Sequence, residues 1–160
     1  MNVDAERPVR LPPRWFMHVF WRGHRAWFRA TRGHRGLWTP ASKRGWGALR
    51  LTAVGRRTGR PRGVMLGYLE DGPDLVVLAM NGWGEGEPAW WLNLQAHPAA
   101  TVHVAGSPPR PVVAHEAEGA ERERLWEMWH QVHAELDDYA ALRSTPTAVV
   151  VLAPAPAALP

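Results

Sequence analysis

Apolar runs of strand length alternate with turns through most of the chain. Leu49-Arg50-Leu51-Thr52-Ala53-Val54, the stretch 63–69 and Leu75-Val76-Val77-Leu78-Ala79-Met80 predict three strands, at 49–54, 63–69 and 75–80. They form a meander whose second turn is Glu70-Asp71-Gly72-Pro73-Asp74. Pro88 opens a short helix that ends before His97-Pro98. Strands at 100–104 and 111–117 follow, joined by Gly106-Ser107-Pro108-Pro109. Leu125, Met128, Trp129, Val132 and Leu136 recur at helical spacing and predict an amphipathic helix over 121–136 that packs on the strands. Thr147 to Leu152 supplies a last strand, and the Pro/Ala-rich tail 154–160 reads as a frayed end.

This order is mainly β with flanking helices. It lacks βαβ repeats and a Gly-x-Gly-x-x-Gly turn, so a Rossmann domain with a dedicated NAD(P) site is not expected. With 160 residues and 46% apolar content the chain can bury one core. It has no cysteine, which excludes disulfides, thiolate metal sites and a cysteine nucleophile.

Charge divides the chain. Residues 1–44 carry ten basic and two acidic side chains, whereas 45–160 carry nine basic and thirteen acidic. Within the basic segment, Arg14 to Ala30 has no proline, and Arg14, His18, Arg22, Arg25 and Arg29 form one polar stripe on a helix whose other face holds Trp15, Phe16, Val19, Phe20, Trp27 and Phe28. Such a helix either packs on the strands or lies on an anionic membrane surface through residues 14–30. Residues 31–47 read as an irregular connection, so the chain divides into an N-terminal segment 1–47, a folded domain 48–153 and the tail. No run reaches the ~20 apolar residues of a membrane span and no secretory signal is evident, so a cytoplasmic protein is expected. No nucleic-acid partner is expected, because no recognised binding module accompanies the basic residues. Eighteen of the nineteen basic residues are arginine, which is the mark of GC-rich coding, so only position can single one out.

Position singles out Gly55-Arg56-Arg57-Thr58-Gly59-Arg60-Pro61-Arg62. Gly55 and Gly59 are expected to turn the backbone at positive φ, Arg56, Arg57 and Arg62 can fork onto phosphate or carboxylate oxygens, and Thr58 adds a donor. An exposed hairpin in an arginine-rich chain would show the same residues. No Ser-His-Asp set, carboxylate pair or metal cluster stands out. His130 and His133, three apart, lack the further ligands a metal needs, so no metal is expected.

Taken with the strand runs, Pro88-Ala89-Trp90-Trp91-Leu92-Asn93-Leu94 and His97-Pro98, this turn resembles the deazaflavin (F420)-dependent nitroreductase and quinone reductase family over residues 45–153. The resemblance implies an FMN-binding split-barrel-like fold and an oxidoreductase that carries hydride from reduced coenzyme F420 to a small-molecule acceptor, quinone-like or nitroaromatic. FMN is a second choice of cofactor. It further implies that Arg56, Arg57, Thr58 and Arg62 hold the cofactor's phosphate and acidic tail. It also implies that the ring lies along the backbone at Met65 and Leu66 and across from Ala79, Met80 and Asn81, with Trp90 and Asn93 beside it. Trp90 could equally be core, and Asn93 could serve a backbone hydrogen bond. Met65 stands where relatives usually have proline, and Trp83 where they usually have glycine, which makes Trp83 a candidate substrate gate. Of the tyrosines that relatives place over the substrate, Asp138-Tyr139 matches, and His133 and Leu136 stand in for others; Tyr139 and His133 are the candidate proton donors. The alternatives are a non-catalytic split barrel carrying FMN, haem or a fatty acyl chain, and a membrane-peripheral interaction protein.

Overall fold

The computed structural model of the protein describes residues 36–41 and 45–156 together with Val19. Among these residues six antiparallel strands close into a barrel in the order β1-β2-β3-β6-β5-β4. They are β1 (Gly47–Val54), β2 (Pro61–Asp71), β3 (Asp74–Leu78), β4 (Ala99–His103), β5 (Arg110–Glu116) and β6 (Val149–Pro154). Pairing of β4 back onto β1 completes the ring and removes the open sheet edge. Helix α1 (Ala89–Ala96) lies between β3 and β4, and helices α2 (Gly119–Val132) and α3 (Leu136–Ala141) lie between β5 and β6. The mainly β architecture with flanking helices is the one expected, and no described helix is long and apolar enough to cross a membrane. The basic helical stretch 14–30 lies outside the described residues apart from Val19.

Alternation decides which side chains fill the barrel. Leu49, Leu51 and Ala53 of β1, Tyr68 of β2, Leu75 and Val77 of β3 and Val150 and Leu152 of β6 point inward, and Trp91 and Leu94 of α1 join the same cluster. The intervening Val76, Leu78, Val149 and Val151 point outward, where Leu125, Trp129 and Leu136 cover them. Burial on both faces explains why Leu75–Ala79 reads as an unbroken apolar run and not as an alternating one.

The structure corrects two boundaries, of β6 and of the late helix, and anchors the irregular connection before β1. First, β6 continues to Pro154, which pairs with Val112, and Ala155 donates its N–H to the Pro111 carbonyl at 3.2 Å, so the tail begins inside the barrel. A terminal proline is tolerated there because a strand end need not donate. Second, the irregular connection is tied down by an isolated bridge between Trp38 and Ala48, with Trp38 edge-on to Trp46 at 5.1 Å. Third, the late helix does not run through 136. The chain leaves α-helical geometry at His133 (φ −137°, ψ 84°), and α3 begins afresh at Leu136. The Trp126 indole N–H donates to the Asp137 carboxylate at 2.7 Å and holds α3 back against α2, so Leu136 is buried as its spacing predicts, but from a second helix.

Tyr68 is wholly buried, and its hydroxyl has no hydrogen-bond partner. Burial first, and the Glu70 carboxylate second, push its pKa up to about 12. An unsatisfied buried hydroxyl costs roughly 1–3 kcal/mol. Tyr68→Phe is therefore expected to stabilise the protein by about 1 kcal/mol, a rise of a few degrees in Tm at pH 8. Because the folded pKa stands above that of an unfolded tyrosine, Tyr68's contribution is intact below about pH 10 and is lost as pH rises toward 12. The gap in Tm between variant and wild type should thus widen between pH 8 and pH 11. Equal melting at both would mean that the hydroxyl is satisfied.

Candidate functional site

The arginine turn is the β1–β2 connection, where Val54 pairs with Pro61. Its backbone closes on itself: Gly59 and Thr58 donate to the Gly55 carbonyl at 2.7 and 3.2 Å, and Gly55 donates to the Arg60 carbonyl at 2.9 Å. Gly59 has the expected left-handed backbone, φ +66°, whereas Gly55 does not; a side chain on Gly55 would meet the Arg60 carbonyl and the Arg62 stem. Gly55 is thus needed for close approach and not for φ. The Thr58 hydroxyl accepts from the Arg60 N–H at 3.4 Å, which leaves its own proton free to donate outward.

Helix α1 fastens this turn. The buried Asn93 carbonyl oxygen accepts from both the backbone N–H and Nη1 of Arg56, each at 3.1 Å. Arg56 is half-buried as a result, while Arg57, Thr58, Arg60 and Arg62 stand exposed around it. Asn93 thereby acts on the turn through Arg56. Trp90 is half-buried, packs against the barrel interior and lies 6.3 Å from the Trp91 ring. Met65 is buried and Leu66 half-buried on opposite faces of β2, so only the backbone there can offer both positions to one ligand.

The stretch after β3 is irregular. Asn81, Gly82 and Trp83 all have positive φ, +47°, +60° and +61°. The left-handed backbone at 83 is the physical reason a glycine suits that position, and Trp83 occupies it at a cost of ~1–2 kcal/mol. The Asn81 amide donates to the Glu85 and Gly86 carbonyls at 2.8 and 3.2 Å and is spent on the loop itself. Met80 is half-buried and accepts from the Trp83 N–H, and Ala79 is buried with its N–H on the Ala148 carbonyl.

Sequence reasoning missed what holds this loop. Arg143 is 7% exposed, and its guanidinium donates to the carbonyls of Gly84 (2.9 Å), Ala79 (3.1 Å) and Gly86 (2.9 Å) and to the Thr147 hydroxyl (2.7 Å). Glu85 accepts from the Ser144 N–H and hydroxyl, both at 2.8 Å, and Thr145 accepts from the Gly86 N–H. One carboxylate oxygen of Glu87 is buried without a partner, and burial holds its pKa up against the pull of Arg143. The only signal was a polar Arg-Ser-Thr-Pro-Thr run before β6, which reads as any loop in so arginine-rich a chain.

Two of the candidate substrate residues come together. Trp83 and Tyr139 stack with ring centroids 5.7 Å apart and planes 15° from parallel. Burial, and then the Glu135 carboxylate, raise the Tyr139 pKa, so the phenol keeps its proton at neutral pH. His133 does not join this pair: it is exposed overall but rests on the rings of Trp129 at 6.2 Å and Trp46 at 6.3 Å, and the partial desolvation there lowers its pKa. Among the described residues no cluster of His, Asp or Glu could hold a metal.

The sequence model of the family described as F420H(2)-dependent quinone reductase matches residues 20–154, which include every strand and helix of the barrel domain. A Mycobacterium tuberculosis protein named as a candidate F420H(2)-dependent quinone reductase is 31% identical over 100 residues, 62% of this chain and 82% of its own. Among solved structures, the F420-H2 dependent reductase FDR-A superposes with a TM-score of 0.59 at 24% identity, covering 66% of this chain and 92% of its own. A chain described as a domain-swapped dimer superposes at 0.63 and 23% identity, covering 86% and 98%. A heme binding protein from Mycobacterium smegmatis reaches 0.52 at 19% identity, covering 66% and 45%. These structures share the barrel, including one described as a heme binding protein, so the assignment rests on sequence: the chain belongs to the F420H(2)-dependent quinone reductase family, oxidoreductases served by the reduced deazaflavin coenzyme F420.

Proposed function

We propose that the protein reduces a quinone-like acceptor with F420H2, holding the cofactor's anionic tail on the arginine turn and its ring along the backbone at Met65 and Leu66 and across from Met80 and Asn81; Ala79, wholly buried with its N–H and carbonyl both bonded, lies behind them and not against the ring. The observation that carries this reading is the state of the turn. Its backbone is closed by bonds among Gly55, Thr58, Gly59 and Arg60 and Arg56 is anchored by Asn93, while Arg57, Thr58 and Arg62 extend into solvent as a preorganised set of anion donors. That donor set fits a phosphate and carboxylate tail.

When bound, F420H2 supplies the hydride, and an acceptor quinone also needs one proton to become the quinol. The Tyr139 phenol is protonated at neutral pH and half-exposed, so it can donate to an acceptor oxygen and recover its proton from water. His133 is the second candidate proton source, its pKa lowered by partial desolvation against the Trp129 and Trp46 rings. The flat Trp83–Tyr139 pair would accept nitroaromatic rings as well as quinones by stacking. The basic, aromatic stretch 14–30 would suit an anionic membrane surface where apolar quinones dissolve.

Titration with F420, FMN and haem, read by quenching of the ten tryptophans, tests the cofactor, and turnover of F420H2 with quinones and nitroaromatics tests the acceptor. Tighter binding of FMN or haem than of F420 would sink the proposal.

Trp83→Gly tests the gate. Relief of the left-handed strain, ~1–2 kcal/mol, only partly offsets loss of the aromatic pair, ~0.5–1.5 kcal/mol, together with the indole's packing on the outer core, so Tm should fall by a few degrees. The ratio of kcat/KM for a bulky against a small quinone should rise by about 10-fold, in the range that pocket-size changes command. An unchanged ratio would place Trp83 outside the acceptor's path.

A further inference from the structure

We propose that Arg143 is a positioning residue for hydride transfer, holding the 79–87 loop in the one conformation that presents the half-buried Met80 and Asn81 to the cofactor ring, with the wholly buried Ala79 anchored behind them. The inference rests on the proposed placement of the ring. Its own basis is the geometry of one side chain. Four N–H groups of a buried guanidinium are spent, three of them on carbonyls spread from Ala79 through Gly84 to Gly86 and the fourth on Thr147, four residues along its own chain. No carboxylate lies in ion-pair contact with it among the described residues, so its charge is balanced by backbone dipoles; Glu85 and Glu87 act on it from farther off. A charge buried in this way costs stability relative to an apolar side chain, and what it provides is conformational definition.

The loop needs that definition. Three consecutive left-handed residues at 81–83, one of them a tryptophan, strain the segment, and its internal bonds run only between residues 80 and 86, so none of them ties the loop to the rest of the barrel as Arg143 does. The same clamp reaches the acceptor side, because Arg143 follows α3, whose Tyr139 stacks on Trp83. Moving the guanidinium would therefore shift the ring-facing strip and the acceptor-facing pair together. Misplacement of reacting groups by about 1 Å costs on the order of 100-fold in rate. Lysine cannot replace arginine here, since its three donors radiate from one nitrogen and cannot span three carbonyls and a hydroxyl in a planar fork.

The test compares wild type, Arg143→Lys and Thr147→Val in the full chain. It measures F420 affinity by tryptophan quenching, kcat per F420-binding site with a small quinone, and backbone amide exchange over 80–87. For Arg143→Lys we expect kcat per binding site to fall by about 10- to 100-fold, F420 affinity to stay within about threefold, and exchange in the loop to accelerate. A residue of merely structural importance would lower Tm and the fraction of competent protein but leave kcat per binding site unchanged, and that result overturns the proposal. So does a fall in affinity that matches the fall in kcat. If Arg143→Lys does not fold, Thr147→Val decides. It removes one of the four acceptors, so kcat should fall by about threefold with faster loop exchange, and no change in either overturns the proposal. Wild-type protein that fails to bind F420 would overturn the ring placement and this role with it. Normal wild-type turnover beside an unaltered Arg143→Lys overturns this role alone.

Discussion

Replacing Arg56 and Arg57 together by alanine is expected to weaken F420 binding by about 100-fold while leaving the barrel folded. Hydrogen bonds to charged groups contribute ~1.5–3 kcal/mol each, and the more solvated Arg57 belongs at the low end of that range. The turn survives the change because its internal bonds and the Arg56 N–H to Asn93 bond are made by backbone. Binding to the double variant should also depend less on ionic strength, since fewer charges face the ligand. Asn93→Asp separates support from contact: a carboxylate still accepts from Arg56 but places a negative charge behind the anion site. Affinity should fall there without loss of Tm. Isothermal titration of F420 at two salt concentrations checks both variants, and unchanged affinity of the double variant at low salt would remove the turn from the site.

Gly47→Ala is expected to lower stability by about 3 kcal/mol, a fall of roughly 5–10 °C in Tm for a chain of this size. A β-carbon at 47 would lie 2.6 Å from Cζ of Tyr68 and 2.8 Å from the Trp38 carbonyl. Neither can yield easily. The tyrosine ring is fully enclosed by the barrel, and the Trp38 carbonyl is the acceptor for the Ala48 N–H at 2.8 Å. In a Tyr68→Leu background the same substitution should cost distinctly less, because the ring is half of the clash, and thermal melts of the four proteins complete the cycle. Additive losses would show that the ring does not oppose the β-carbon.

The strands were legible because burial imposes a pattern on composition. Leu75–Ala79 is apolar throughout since both its faces are covered, and Leu125 and Trp129 recur at helical spacing since α2 covers the outward face of β3 and β6. The arginine turn was legible because two glycines bracket it, though only Gly59 needs its freedom of φ.

Much of the site was not legible, because its bonds join residues far apart in the chain. Asn93 meets Arg56 across 37 positions, and Arg143 meets Gly84 across 59. No periodicity or turn chemistry encodes such pairs; barrel closure and the seating of α1 against the β1–β2 turn bring them together. The break at His133 has the same origin. The apolar spacing runs on to Leu136, but the Trp126–Asp137 bond folds α3 back against α2, and Tyr139 of α3 stacks on Trp83. Local pattern was sufficient for the strands, for α1 and the body of α2, and for the family. Which side chains share the site was decided by closure of the barrel, since a hydrogen bond or a ring stack depends on distance in space and leaves no trace in local periodicity.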